Sequence, residues 1–163
     1  SSTTQKIILL AKYNLTKDGK SQDTGKDNIC SFGTKYWDPE GKLSYPDPTT
    51  NKYPDLNDET KYPIGDATSI VTTAKAYGSN LKATGRLMTV EEVVALGGSI
   101  DKESTSKCPS FINTQIYWLG SAGSSSEVWI VYGGDNYLFS RDDYNGYAGG
   151  IRPVIEVQKS SIQ

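Results

Sequence analysis

The sequence predicts a single α+β domain over residues 1–163. Three observations carry this. The length suits one domain that can bury a core without disulfides. Helix-period and strand-period patterns fall in separate blocks, which means α+β rather than α/β. Between the first strand and the first helix lies a long stretch with little periodicity.

The elements follow in order. Ile7-Ile8-Leu9-Leu10-Ala11, then Tyr13-Asn14-Leu15, reads as a buried strand leading to an edge or turn. Residues 16–65 hold five of the seven prolines (Pro39, Pro46, Pro48, Pro54, Pro63) and many Asp, Asn and Lys residues. They form an irregular insertion expected to pack through Tyr36, Trp37, Tyr45, Tyr53 and Tyr62. A disordered linker is the competing reading, and these aromatics oppose it.

Asp66-Ala67-Thr68-Ser69 opens a helix whose apolar stripe is Ile70, Val71, Ala74 and Tyr77, with Gly78 as its stop. Thr89 and Glu92 make a capping box for a second helix. Val90, Val93, Val94 and Leu96 are its buried side, and Gly97-Gly98 ends it. Glu91 and Glu92 read as first-turn caps rather than a catalytic acid pair.

From Ile116 the period is that of strands: Ile116–Gly120, Glu127–Tyr132 after a turn at Gly123–Ser126, Tyr137–Phe139, and a terminal Ile151–Val157. Pro153 places the last at an edge or bulge. Together they predict one small twisted antiparallel sheet. Trp118 and Trp129 read as core.

Composition narrows function. The chain has no histidine, so it cannot supply a Ser-His-Asp triad, a Cys-His pair or a His-ligated metal. A net charge of −2 gives no general attraction to nucleic acid or anionic membrane. No apolar run approaches the roughly 18 residues of a membrane span. Cys30 and Cys108 are the only cysteines, which suits one disulfide in a secreted protein, with two free thiols as the alternative. The chain starts at Ser1 without Met and reads as a processed or trimmed form whose targeting or anchoring segment is out of view.

Several strings resemble the C-type lectin fold, in the subgroup shared by formylglycine-generating-type enzymes and the variable proteins of diversity-generating retroelements. Gly85-Arg86-Leu87-Met88-Thr89-Val90-Glu91-Glu92-Val93 is similar to the family's "RLPTEAEWE" string, with Met88 where Pro is usual. Tyr117–Ala122, Val128–Val131 and Gly150–Ile155 are similar to the "YWLRS … W.V … GVRPV" ending of many Bacillota surface proteins, some of them pilin-like. The resemblance spans roughly residues 66–157. It implies a C-type-lectin-like fold, display at the cell surface or outside the cell, and adhesion to a protein or other macromolecular ligand. It implies no enzyme, cofactor or metal. The cysteine pair of the formylglycine enzymes is absent from these strands, as are the calcium-lectin Glu-Pro-Asn and Trp-Asn-Asp motifs. Asp135, Asp142 and Asp143 are the carboxylates that calcium would need.

Residues 132–150 hold four of the eleven tyrosines and contain no Lys, Glu, Gln, Met or Trp. At the density of those five types elsewhere, roughly four were expected. Randomised AAC or AAT codons encode Tyr, Asp, Asn, Ser, Gly, Phe, Leu, Arg and Ala but none of the five missing types. Retroelement diversification is what the resemblance implies, and the composition is compatible with it. An ordinary Gly/Asn/Asp-rich loop is the alternative. Tyr gives large contact area at small entropic cost, and Asn, Ser and Gly give adaptable hydrogen bonds. The expected ligand-binding residues are Tyr132, Asp135, Asn136, Tyr137, Phe139, Arg141, Asp142, Asp143, Tyr144, Asn145 and Tyr147, with Phe139 and Tyr144 as apolar anchors. The second function reading is a structural subunit or tip of a pilus-like fibre, its C-terminal loops packing between copies. A carboxylate hydrolase using Asp142 or Asp143 is the third.

Overall fold

A computed structural model of the protein describes residues 5–33, 36–63, 69–142, 146 and 148–161. Its elements run β1 (Lys6–Leu10), α1 (Ile70–Asn80), β2 (Thr84–Leu87), α2 (Val90–Ala95), β3 (Ile116–Ala122), β4 (Val128–Tyr132), β5 (Tyr137–Arg141) and β6 (Pro153–Gln158). Short 3-10 turns lie at Ser110–Thr114, Gly133–Asp135 and Lys159–Ser161. The class is α+β, with two antiparallel three-stranded sheets, β1-β6-β2 and β3-β4-β5, in place of the one sheet expected. The split arises because β6 pairs with β1 and with β2, a four-residue strand too short to show a period. The segment before β6 links the sheets: Trp118 N donates to Gly150 O and Gly150 N donates to Ile116 O, both at 3.0 Å.

In the β3-β4-β5 sheet, β3 and β4 are buried on both faces. Alternation along β3 and β4 sends Trp118, Ala122, Val128 and Ile130 into one apolar cluster, covered by α1 and the insertion. It sends Tyr117, Leu119, Trp129 and Val131 into a second, covered by α2 and the Ser110–Thr114 turn. The insertion is therefore ordered packing despite lacking any helix or multi-residue strand among its described residues. It contributes Phe32, Trp37, Leu56 and Tyr62 to the first cluster, which Leu15 joins from just ahead of it, and Tyr45 and Tyr53 pack at the margins. Tyr36 instead faces solvent.

The helices follow their caps. The Ser69 side chain accepts from Val71 N at the start of α1, while the expected opening at 66–68 lies outside the described residues. Gly78 does not end α1. It lies inside the helix, where a Cβ would stand 2.1 Å from Gly85 N, so the pair Gly78/Gly85 lets helix and β2 backbones touch. The capping box of α2 is present. Of its expected apolar side Val90 and Val93 are buried, whereas Val94 and the C-cap residue Leu96 are exposed.

Three further expectations are corrected. The first strand is an edge strand, and Ile8 and Leu9 are 50% and 49% exposed rather than buried. Pro153 begins the central strand of its sheet: its oxygen accepts from Ala11 N at 2.9 Å, and in place of its missing N–H the Arg152 Nε donates to Ala11 O at 2.8 Å. Cys30 and Cys108 are free thiols, and they pack against different core clusters, so no disulfide joins them. Among the described residues no helix is long and apolar enough to cross a membrane.

Candidate functional site, an aromatic and cationic stripe on β5

Strand β5 is built to show one face. Leu138 is fully buried in the second core cluster, and the Ser140 hydroxyl on the same face donates to Glu127 at 2.5 Å. These fix the strand, so Tyr137, Phe139 and Arg141, two residues apart, share the opposite face. Register places Tyr132 of β4 across from Tyr137, and Ile130 across from Phe139. Ile130 is core, so the stripe sits where the first cluster emerges into solvent.

The four side chains touch. Tyr132 and Phe139 stack with ring centroids 5.2 Å apart and planes at 28°. Tyr137 meets Phe139 edge-on at 6.2 Å. The Arg141 guanidinium lies 5.3 Å from the Phe139 ring and 5.8 Å from that of Tyr132. Each such cation–π contact contributes about 0.5–1 kcal/mol at exposed sites. Together they present an apolar surface of stacked and edge-on rings capped by the Arg141 guanidinium, suited to an aromatic or planar polar group on a partner.

The turn ahead of β5 is equally set. Asn136 takes the left-handed conformation, φ 56° and ψ 38°, which Asn tolerates well. Its oxygen accepts from Thr105 N at 2.8 Å, and Leu138 N donates to Glu103 O at 3.2 Å. Residues 103–105 thus brace the first half of β5, a contribution with no sequence pattern to announce it.

Of the expected binding residues, Asp135, Asn136, Tyr137, Arg141 and Asp142 are exposed, and Tyr132 and Phe139 are half-buried. Asp143, Tyr144, Asn145 and Tyr147 lie outside the described residues. Asp135 and Asp142 stand beyond opposite ends of the five-residue strand, roughly 20 Å apart along the backbone, too far to share one cation. Among the described residues no group of three His, Cys, Asp or Glu side chains could hold a metal ion.

Shifted titratable groups elsewhere hold the scaffold. Arg86 donates to Glu92 at 2.6 and 3.0 Å and to Glu156 at 2.8 Å, tying β2, α2 and β6 together. Burial works against its charge, but the two carboxylates push its pKa well up. Burial alone would raise Glu92, yet hydrogen bonds from Arg86 and the Thr89 N–H hold it below the usual glutamate range. Arg152, buried and lowered by desolvation, gives its N–H groups to the oxygens of Ala11, Phe111 and Lys12. Burial pushes the Cys30 thiol up to about 11, far from the depressed values of reactive cysteines. Searched against family models, curated proteins and solved structures, the chain matches none.

Proposed function

We propose that the protein is a ligand-binding domain of receptor or adhesion type with a C-type-lectin-like fold, displayed at the cell surface, whose binding surface is the β5 stripe with the residues that flank it. One observation carries this. Tyr132, Tyr137, Phe139 and Arg141 line up on one outward face, while their alternates Leu138 and Ser140 hold the strand to the scaffold. The exposed Tyr137 and Arg141 can vary without disturbing the fold, while Tyr132 and Phe139 also pack against the first core cluster; outward positions of this kind are what retroelement diversification of residues 132–150 requires. The partner is a protein or other macromolecule, and binding needs no cofactor and no catalysis.

Sequencing the gene across isolates tests this. Substitutions at Tyr132, Asp135, Tyr137, Phe139 and Arg141, confined to AAC- or AAT-derived codons and absent from Leu138 and Trp129, are expected. Uniform drift along the chain would defeat it. Subunit packing in a fibre is the second reading, favoured by the exposed apolar Ile8, Leu9, Leu96 and Phe111. It places assembly away from the C-terminal loops.

A further inference from the structure

The β1 edge carries a feature the ligand reading does not use. A groove of about 880 Å³ runs along β1, walled by Ile8, Leu9, Leu10, Leu96, Phe111 and Val154. Its carboxylate, Glu92, is already neutralised by Arg86. Natural edge strands are usually protected by charges, Pro or bulges. Here the only charge on β1 is Lys6, which leans onto Glu156 at 3.7 Å, leaving the rest of the strand apolar.

The register tells which backbone groups point outward. Ala11 N donates to Pro153 O, and Lys159 N donates to Gln5 O. Bonded pairs alternate in an antiparallel ladder, so Gln5, Ile7, Leu9 and Ala11 bond inward to the β6 side. The N–H and C=O groups of Lys6, Ile8 and Leu10 face away from β6, and no further strand lies beyond β1 among the described residues.

We infer that β1 is a homodimerisation edge, pairing antiparallel with β1 of a second copy about a twofold axis through Ile8. The occupant follows from self-complementarity. Centred there, Ile8 meets Ile8 of the second copy and Lys6 meets its Leu10, so each outward residue meets another outward residue and the ladder closes. No like charges stand directly opposite. On one face Ile8 and Leu10 of the second copy extend the groove's apolar wall. On the other, Leu9 gains Ile7 of the second copy as cover. The two sheets become one of six strands. This pairing uses the sheet that does not carry the β5 stripe, so it stands independently of the ligand proposal.

Sedimentation across concentration, with amide exchange read residue by residue, tests it. The wild-type mass is expected to double from 17.8 kDa. In the dimer the Lys6, Ile8 and Leu10 amides slow at least tenfold, while those of Ile7 and Leu9 are protected at every concentration. Ile8→Pro removes only an outward N–H and should give a folded monomer. If Ile8→Pro fails to fold by near-ultraviolet dichroism, Ile8→Lys sets like charges across the axis, with the same expectation. A wild-type monomer at all concentrations overturns the inference. So does a dimer that survives both substitutions, or one in which those three amides exchange freely. Seating of an alkyl detergent in the groove of a monomer, with the three amides still exchanging, assigns the groove to an amphiphile instead.

Discussion

Replacing Arg86 by Met removes the cation that binds β2, α2 and β6. Two carboxylates then remain, with Glu92 and Glu156 side chains only 30% and 21% exposed. Breaking a buried pair by removing one partner costs about 3–5 kcal/mol, and the partial exposure here puts the expected loss near 3 kcal/mol, close to the lower end. The pH dependence gives a sharper check. Glu92 has its folded pKa below the usual 4.5, so its contribution is present above that value and is lost as pH falls through the depressed pKa. In Arg86→Met the cation that lowers Glu92 is gone and protonation relieves the uncompensated charge. The deficit relative to wild type should be largest near pH 7 and shrink below about pH 4.5. Urea denaturation of both proteins from about pH 4 to pH 8 measures it. A deficit under about 1 kcal/mol near pH 7, or one independent of pH, would refute the clamp.

Other outcomes follow from the same packing. Gly85→Ala sets a Cβ 2.1 Å from Ala74 O; the backbone of α1 must retreat, and a loss of at least about 2–3 kcal/mol in chemical denaturation is expected. Tyr137→Ser, at a residue 52% exposed, should cost no more than about 1 kcal/mol by the same assay, because it removes one edge-on ring contact. Cys30, its thiol held up to about 11 mainly by burial, should react with iodoacetamide near pH 8 far more slowly in folded than in urea-unfolded protein. Its neutral thiol favours the fold up to the unfolded value of about 9, and that stabilisation declines as pH rises toward 11.

The parts legible in the sequence were those set by local chemistry. The Thr89–Glu92 capping box and the alternation through Trp118 and Trp129 need only near neighbours. Position against distant segments was not legible. Ile7–Leu10 has the composition of a buried strand, but its exposure depends on whether another strand lies beyond it. Gly78 looks like a helix stop until Gly85 is seen against it. Pro153 suggested an edge, yet as the first residue of a central strand it gives only an acceptor. For the candidate site, the outward face of Tyr137, Phe139 and Arg141 follows from strand period, whereas the support from Glu103–Thr105 arises from a loop with no repeating signal.

The stripe is tested most directly by binding to an array of surface proteins and glycans, comparing wild type with Tyr137→Ser/Phe139→Ser/Arg141→Ser. Signals on particular features that vanish with the triple variant, while its near-ultraviolet dichroism shows a folded core, are the expected result. Equal signals from the two proteins would contradict a binding surface on β5.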